Sequence, residues 1–235
     1  MVTLPLKGSD RTISLAPSKI VAVGLNYHAH VQESKVFDLK KLEVPTEPVL
    51  FAKTPNVLVG PDDPIVLPAC IKDYHFDEPR IDPEAELAII IGKRCKYVTE
   101  EEALDYVLGY TCFNDVSQRN IQKLDASGWF RGKSFDTFGP IGPVIVPPSL
   151  LPDPQHLAIS CRINGKTTQA ASTADMIFSV RTLISFISKN FTLEAGDIIA
   201  TGTPSGVSPI KAGDEVEVEI EGIGILKNPV IEEVR

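Results

Sequence analysis

Glu84-Ala-Glu-Leu-Ala-Ile-Ile-Ile-Gly92 is the stretch on which the reading of this chain turns. Leu87–Ile91 is an unbroken apolar run of the kind a buried strand needs. Side chains alternate along a strand, so the carboxylates of Glu84 and Glu86 share one face and Ala85 and Leu87 take the other. Acids leaving an otherwise apolar strand are costly to bury unless something positive meets them. Alone, the pair reads as a solvated strand end. A second apolar run, Leu108–Asn114, stops at Asp115. If the two strands are neighbours, Asp115 joins the pair, and three crowded carboxylates call for a cation. All-oxygen ligation selects a hard ion, Mg²⁺ or Mn²⁺ with Ca²⁺ as a further candidate, over zinc.

Outward from this stretch, short strands dominate. Ile20–Val23, Val49–Ala52, Ile65–Leu67 and Asp197–Thr201 are apolar runs bounded by turn residues. Leu157, Ile159, Cys161 and Ile163 alternate with polar residues up to Asn164-Gly165, a hairpin turn signal. Glu215, Glu217, Glu219 and Glu221 face one side of a last strand. Helices are few. Asn26 can cap one over Tyr27–Glu33, and Thr99-Glu-Glu-Glu102 resembles a capping box opening one to about Val107. A short helix is expected over Ser117–Lys123. Val180, Leu183, Ile184 and Ile187 share a helical face behind Ser179. Residues 1–18 read as a short extended leader, 19–235 as a single catalytic domain, Ser34–Pro48 as a mobile connection or lid, and Lys72–Pro83 as a surface loop. The fold class is β-rich α+β.

With 23 Lys+Arg against 31 Asp+Glu, the net charge of −8 argues against nucleic acid or an anionic membrane as the main partner. A locally positive site for a small anion remains open. No apolar run approaches the roughly 20 residues of a membrane span, and the first residues lack a signal-peptide pattern, so the cytoplasm is the default. Cys70, Cys95, Cys112 and Cys161 are far apart without a CxxC, and read as small hydrophobes rather than disulfides or a zinc module.

Further chemistry is suggested in three places. His30 and Glu33 are i,i+3 neighbours on the first helix, and a carboxylate beside an imidazole orients it for proton transfer; the bland alternative is a surface pair. Arg119 and Gln122, at offsets of four and seven from Asp115, place all three on one helical stripe. With Lys133, in Trp129-Phe-Arg-Gly-Lys-Ser-Phe-Asp136, they would form an oxyanion hole if a metal stood opposite, and are ordinary surface donors otherwise. Thr201-Gly-Thr-Pro-Ser-Gly206 is a tight turn whose hydroxyls and N–H groups could hold a carboxylate, without the lysine and spacing of a P-loop.

Together these residues resemble the fumarylacetoacetate hydrolase family. The matching elements are Gly24-Leu-Asn-Tyr-His-Ala-His30-x-x-Glu33, Pro48-x-x-Phe51-x-Lys53, Glu84-Ala-Glu86-Leu, Gly109-Tyr-x-x-x-Asn-Asp115, Arg119-x-x-Gln122, Gly132-Lys-Ser-Phe-Asp136, Gly142-Pro143 and Thr201-Gly-Thr-Pro-Ser-Gly206, in family order over about residues 18 to 230. The resemblance implies a mixed β-roll with β-sandwich-like packing, usually a homodimer. It implies Mg²⁺ or Mn²⁺ on Glu84, Glu86 and Asp115, a catalytic His30–Glu33 dyad, and substrate or oxyanion contacts from Arg119, Gln122 and Lys133. Thr203 matches a threonine that contacts a substrate carboxylate.

The expected activity is metal-dependent chemistry on a small anionic 2-oxo acid or its enol. Hydrolysis of a C–C bond in an acylpyruvate-like substrate comes first, because the dyad can activate water. Isomerisation or decarboxylation of a hydroxyhepta-diene-dioate, as in homoprotocatechuate breakdown, or oxaloacetate decarboxylation, follows closely. A non-catalytic, metal-stabilised binding protein is the alternative of another class.

Overall fold

The apolar runs become strands, and most of them meet in two sheets that face each other. The computed structural model describes residues 1–36, 44–126 and 128–234. In chain order, β1 (Val2–Pro5) and β2 (Thr12–Leu15) form an antiparallel hairpin inside the stretch read as a leader, and Val2, Leu4 and Leu15 enter the core. The buried β3 (Ile20–Gly24) leads to α1 (His28–Val36). Asn26 does not cap this helix. Its side chain bonds Phe178 and Thr201, tying the end of β3 to two distant segments. The connection expected over Ser34–Pro48 begins as the last turn of α1, and its residues 37–43 lie outside the described residues.

After β4 (Val49–Lys53) come β5 (Leu58–Val59) and β6 (Ile65–Leu67). Between the latter two the Asp63 carboxylate accepts the Gly60 N–H at 2.8 Å. The expected surface loop over Lys72–Pro83 is only partly one. It ends in β7 (Ile81–Asp82), where both residues are buried because Arg80 and Arg119 neutralise the Asp82 carboxylate. Then come β8 (Ala85–Ile91), buried at every position, and its antiparallel neighbour β9 (Val107–Asn114). The Thr99–Glu102 box forms, but it starts only a 3-10 turn over Ala103–Tyr106, because Val107 is already recruited into β9. β10 (Ser117–Gln118) pairs with β7. The helices α2 (Arg119–Leu124) and α3 (Phe130–Lys133) and the strand β11 (Gly139–Val146) complete the middle of the chain.

Next, β12 (Ala158–Ile163) and β13 (Lys166–Ser172) are joined at Asn164-Gly165, both with positive φ as the sequence predicts. The helix α4 (Val180–Asn190) is capped by Ser179 and buries Val180, Leu183, Ile184 and Ile187. β14 (Ile198–Ala200), β15 (Glu215–Ile220) and β16 (Gly224–Glu232) close the chain. On β15 the glutamates face outward, where Arg162 pairs with Glu217 and Glu219, and Val216, Val218 and Ile220 face in. Cys95, Cys112 and Cys161 are buried, and burial pushes the thiols of Cys112 and Cys161 up to about 12.

The larger sheet runs β4-β3-β14-β8-β9-β11-β5 and mixes parallel with antiparallel neighbours; the smaller runs β13-β12-β15-β16-β6. They pack face to face, close enough for the Cys112 Sγ to lie 3.5 Å from the Gly224 carbonyl. The class is therefore β-rich α+β with sandwich-like packing. The central strand β8 buries Leu87, Ile89, Ile90 and Ile91 fully, at about 1.5–3 kcal/mol per side chain. That anchorage makes its head, carrying Glu84 and Glu86, a rigid platform. No helix among the described residues is long and apolar enough to cross a membrane.

Candidate metal centre and active-site cavity

The acids at the head of β8 converge as their alternation demands. The register of β8 with β9 sets Asn114 opposite Ala85, and the Asp115 N–H donates to the Glu84 carbonyl at 2.9 Å. Asp115 is thereby delivered beside the pair. One carboxylate oxygen from each of Glu84, Glu86 and Asp115 lies within 4.8 Å of the others, and all three residues are buried.

Cations surround two of the three. Arg119 donates to Glu84 at 2.6 Å, Lys133 donates to Glu84 and, at 2.7 Å, to Asp115, and Lys53 donates to Asp115 at 2.6 Å. Burial alone would raise the Glu84 carboxyl, but Arg119 and Lys133 outweigh it and hold the group well below the usual carboxylate range. Glu86 has a single N–H donor, Gly202 at 2.9 Å, and no ion pair among the described residues. Its carboxyl is pushed well up by burial, then by Asp115 and Glu84. A buried carboxylate without a cation beside two others is what a divalent ion relieves, and three oxygen donors suit a hard one. The residues therefore fit Mg²⁺ or Mn²⁺.

The dyad forms next to this cluster. On α1 the His30 Nδ1 and Glu33 Oε2 are 3.2 Å apart, while His28 points to solvent. The Gly206 N–H donates to both Glu33 oxygens at 3.1 Å. Burial opposes the Glu33 charge, but the bonds from His30 and Gly206 and the fields of His30 and Arg119 win, and the carboxyl sits below its ordinary value. An ionised Glu33 can only accept, so the Nδ1–H faces it and Nε2 carries the free lone pair.

Two N–H groups of the turn after β14 are spent on the protein's own carboxylates, Gly202 on Glu86 and Gly206 on Glu33. This happens because β14 pairs with β8, so the turn leaves the sheet beside the acids. Gly206 has φ of +100°, and a Cβ there would sit 2.1 Å from the Thr168 carbonyl oxygen, so glycine is required. Thr203 keeps a place in the cavity wall.

Arg119 and Gln122 do meet, at 3.2 Å, but Asp115 is not on their helix. The expected stripe is corrected: α2 starts at Arg119 because β10 intervenes, and Asp115 joins through the sheet. Gly132 lets α3 approach α2, since a Cβ would lie 2.8 Å from the Gln118 carbonyl oxygen and the Gln122 nitrogen, and this seats the buried Lys133. Burial lowers the Lys133 ammonium, but Asp115 and Glu84 overcome it and the group ends above its ordinary value.

Three positions that shape the site are given no role by the sequence reading. Lys53, fully buried, donates to Asp115 and to the Lys133 carbonyl, and burial brings its ammonium below the ordinary value. Asp82 accepts from Arg80 and, at 2.8 Å, from Arg119, aiming the latter at Glu84. Its signal was the continued alternation Asp82, Glu84, Glu86. Trp129 rests on Gly24, where a Cβ would lie 2.1 Å from its ring, and meets Phe51 edge-on at 5.3 Å. These walls and the charged floor enclose a cavity of about 700 Å³ that also takes in His30, Gln122 and Val207.

Residues 19–231 match the fumarylacetoacetate (FAA) hydrolase C-terminal family. A mitochondrial oxaloacetate tautomerase of Rattus norvegicus is 40% identical over 239 residues, covering 97% of this chain and 72% of that one. The structure of a 2-hydroxyhepta-2,4-diene-1,7-dioate isomerase from Mycobacterium marinum superposes with a TM-score of 0.81 at 40% identity, covering 97% and 83% of the two chains. That of a maleylpyruvate hydrolase from a Sphingobium species, in complex with manganese(II) and pyruvate, gives 0.76 at 35% identity, covering 93% and 72%.

Proposed function

The chain belongs to the fumarylacetoacetate hydrolase family, and on that footing we propose that it is a divalent-metal-dependent enzyme of 2-oxo acids or their enols, cleaving a C–C bond of an acylpyruvate-like substrate with water. One observation carries this reading: three buried carboxylates within 4.8 Å share a cavity with His30, which Glu33 holds from behind, and with Arg119, Gln122 and Lys133. A scaffold that only binds metal has no use for the dyad.

A divalent ion on Glu84, Glu86 and Asp115 would act as a Lewis acid on the negative charge that develops at the 2-oxo group. The chain's own residues do the rest. His30 takes a proton from water through Nε2 as the water oxygen bonds to the acyl carbon, and Glu33 steadies the imidazolium. Arg119 and Lys133, both locked by carboxylates, hold the oxyanion without reorganising. The bond between the acyl carbon and its neighbour breaks, and its electron pair leaves with the pyruvate fragment as an enolate. His30 returns the proton to that carbon, which balances the reaction as a carboxylic acid plus a 2-oxo acid. Phe51 and Trp129 cover the site against bulk water.

A second reading has its own support in the likeness to the tautomerase and the isomerase. Here the same dyad moves a proton between carbon and oxygen, or between two carbons, and no bond between carbons breaks. One panel separates the two. With Mg²⁺ or Mn²⁺, acylpyruvates, oxaloacetate and a hydroxymuconate-type dienoate are offered side by side and the products identified. Pyruvate released from an acylpyruvate supports the first reading. Conversion without new carboxylic acid supports the second. Full turnover in chelator, with no bound metal, would refute both.

A further inference from the structure

Gln169 lies on β13, in the smaller sheet, yet its side chain reaches the head of β8. It is 1% exposed. Its Oε1 accepts the Ala85 N–H at 3.0 Å, between two of the acids, and its Nε2 donates to the Pro204 carbonyl and to the Thr203 Oγ1, each at 2.8 Å. A backbone N–H can only donate and a backbone carbonyl can only accept, so Ala85 and Pro204 together fix which end of the amide is oxygen. The Nε2 has no lone pair to offer. Thr203 is therefore the acceptor in its bond with Gln169, and its own proton must point elsewhere.

The other threonine of the turn shows the contrast. Thr201 gives its proton to the Leu87 carbonyl at 2.9 Å and is closed off. Among the described residues the Thr203 proton has no acceptor, and Thr203 lines the cavity. Arg119 and Lys133 line the same cavity and are donors too, while its acids Glu84, Asp115 and Glu86 already accept from Arg119, Lys133, Lys53 and Gly202.

We propose that Gln169 is a positioning residue: by donating to the Thr203 oxygen it commits the Thr203 hydroxyl proton to the cavity, toward the carboxylate that the family resemblance already gives this threonine as its partner. The proposal rests on the 2-oxo acid reading above and names the residue that imposes its polarity. Gln169→Glu is the informative change. It keeps an acceptor for Ala85 but has at most one hydrogen where the amide has two, so the hydroxyl is free to turn and donate to residue 169.

The experiment is calorimetric titration of oxalate into the Mn²⁺-loaded protein, with the Mn²⁺ affinity and melting temperature of each variant measured alongside. Thr203→Val and Gln169→Glu should each weaken oxalate by about tenfold or more, as for loss of one hydrogen bond to a charged group. Thr203→Ser should stay within about twofold, because it keeps the donor. The double variant Thr203→Val, Gln169→Glu should bind no more weakly than the worse single variant, since both remove the same bond. Mn²⁺ affinity should not move. Unchanged oxalate affinity in Gln169→Glu, multiplying losses in the double variant, or lost Mn²⁺ affinity would overturn the proposal. If Gln169→Glu does not fold, equal oxalate affinity in Thr203→Val and Thr203→Ser overturns it. Wild-type protein that binds Mn²⁺ but no oxalate would refute the 2-oxo acid reading and this proposal with it.

Discussion

Replacing Glu86 by glutamine tests the metal centre directly. The side chain keeps its shape, and an amide oxygen can still accept the Gly202 N–H. What disappears is a buried carboxylate whose neighbours Glu84 and Asp115 are also acidic and which has no ion pair among the described residues. Two opposite effects follow. In chelator the variant should be the more stable protein, by about 1–3 kcal/mol, the usual cost of an uncompensated buried polar group. With metal, wild type should gain about 2.7 kcal/mol at a hundred times its dissociation constant, and the variant much less. At roughly 2.1 cal/mol/K per residue, a chain of 235 residues unfolds with about 0.5 kcal/mol per kelvin. The variant should thus melt about 2–6 °C above wild type in chelator, while wild type rises about 5 °C with excess Mn²⁺. Thermal melts followed by circular dichroism, with and without Mn²⁺, read both. A variant that melts below wild type in chelator and still shows the whole Mn²⁺ shift would refute the idea that this carboxylate waits for a cation.

Other consequences are independent of that one. His30→Ala should lower turnover by about 10²-fold or more while Mn²⁺ affinity holds, because only the proton-transfer group is lost; steady-state kinetics with a metal titration decide it. Lys53→Met strips the buried Asp115 of one cation and should cost about 3–5 kcal/mol, read by denaturant titration; a loss below about 1 kcal/mol would show that Lys133 suffices. Asp197, which accepts from Ser18, Lys19 and Glu194, has its carboxyl below the ordinary value although burial works against it, because those donors outweigh it. Its contribution is complete above the unfolded value and fades as pH falls through the lower folded one. Asp197→Asn should then be the less stable protein at neutral pH and converge with wild type below about pH 4, which melts across pH will show.

Everything local was open to reading. Alternation put Glu84 and Glu86 on one face, the i,i+3 spacing joined His30 to Glu33, Asn164-Gly165 turned a hairpin, and Ser179 capped α4. Each involves a few neighbouring residues, whose geometry follows from the period of the element they occupy. The errors lay where a distant partner overruled a local preference. The capping box at Thr99 was cut to one 3-10 turn by the pull of β9, and Asn26 left its helix to hold Phe178 and Thr201. Asp82 was placed in a surface loop because an aspartate beside a proline is solvated unless a distant partner, here Arg119, joins the neighbouring Arg80 on its carboxylate.

The sequence by itself therefore determined the β-rich class, the acids and the dyad as separate candidates, and through an ordered set of motifs the family. Only the tertiary structure decided that they form one site. The register of β8 with β9 delivered Asp115, the pairing of β14 with β8 turned two glycine N–H groups onto Glu86 and Glu33, and Lys53 and Gln169 crossed from other strands to hold the acids and Thr203. The reason is physical. Side-chain direction follows from a few consecutive dihedral angles, whereas strand register is set by the packing of the whole core, which no short stretch of sequence contains.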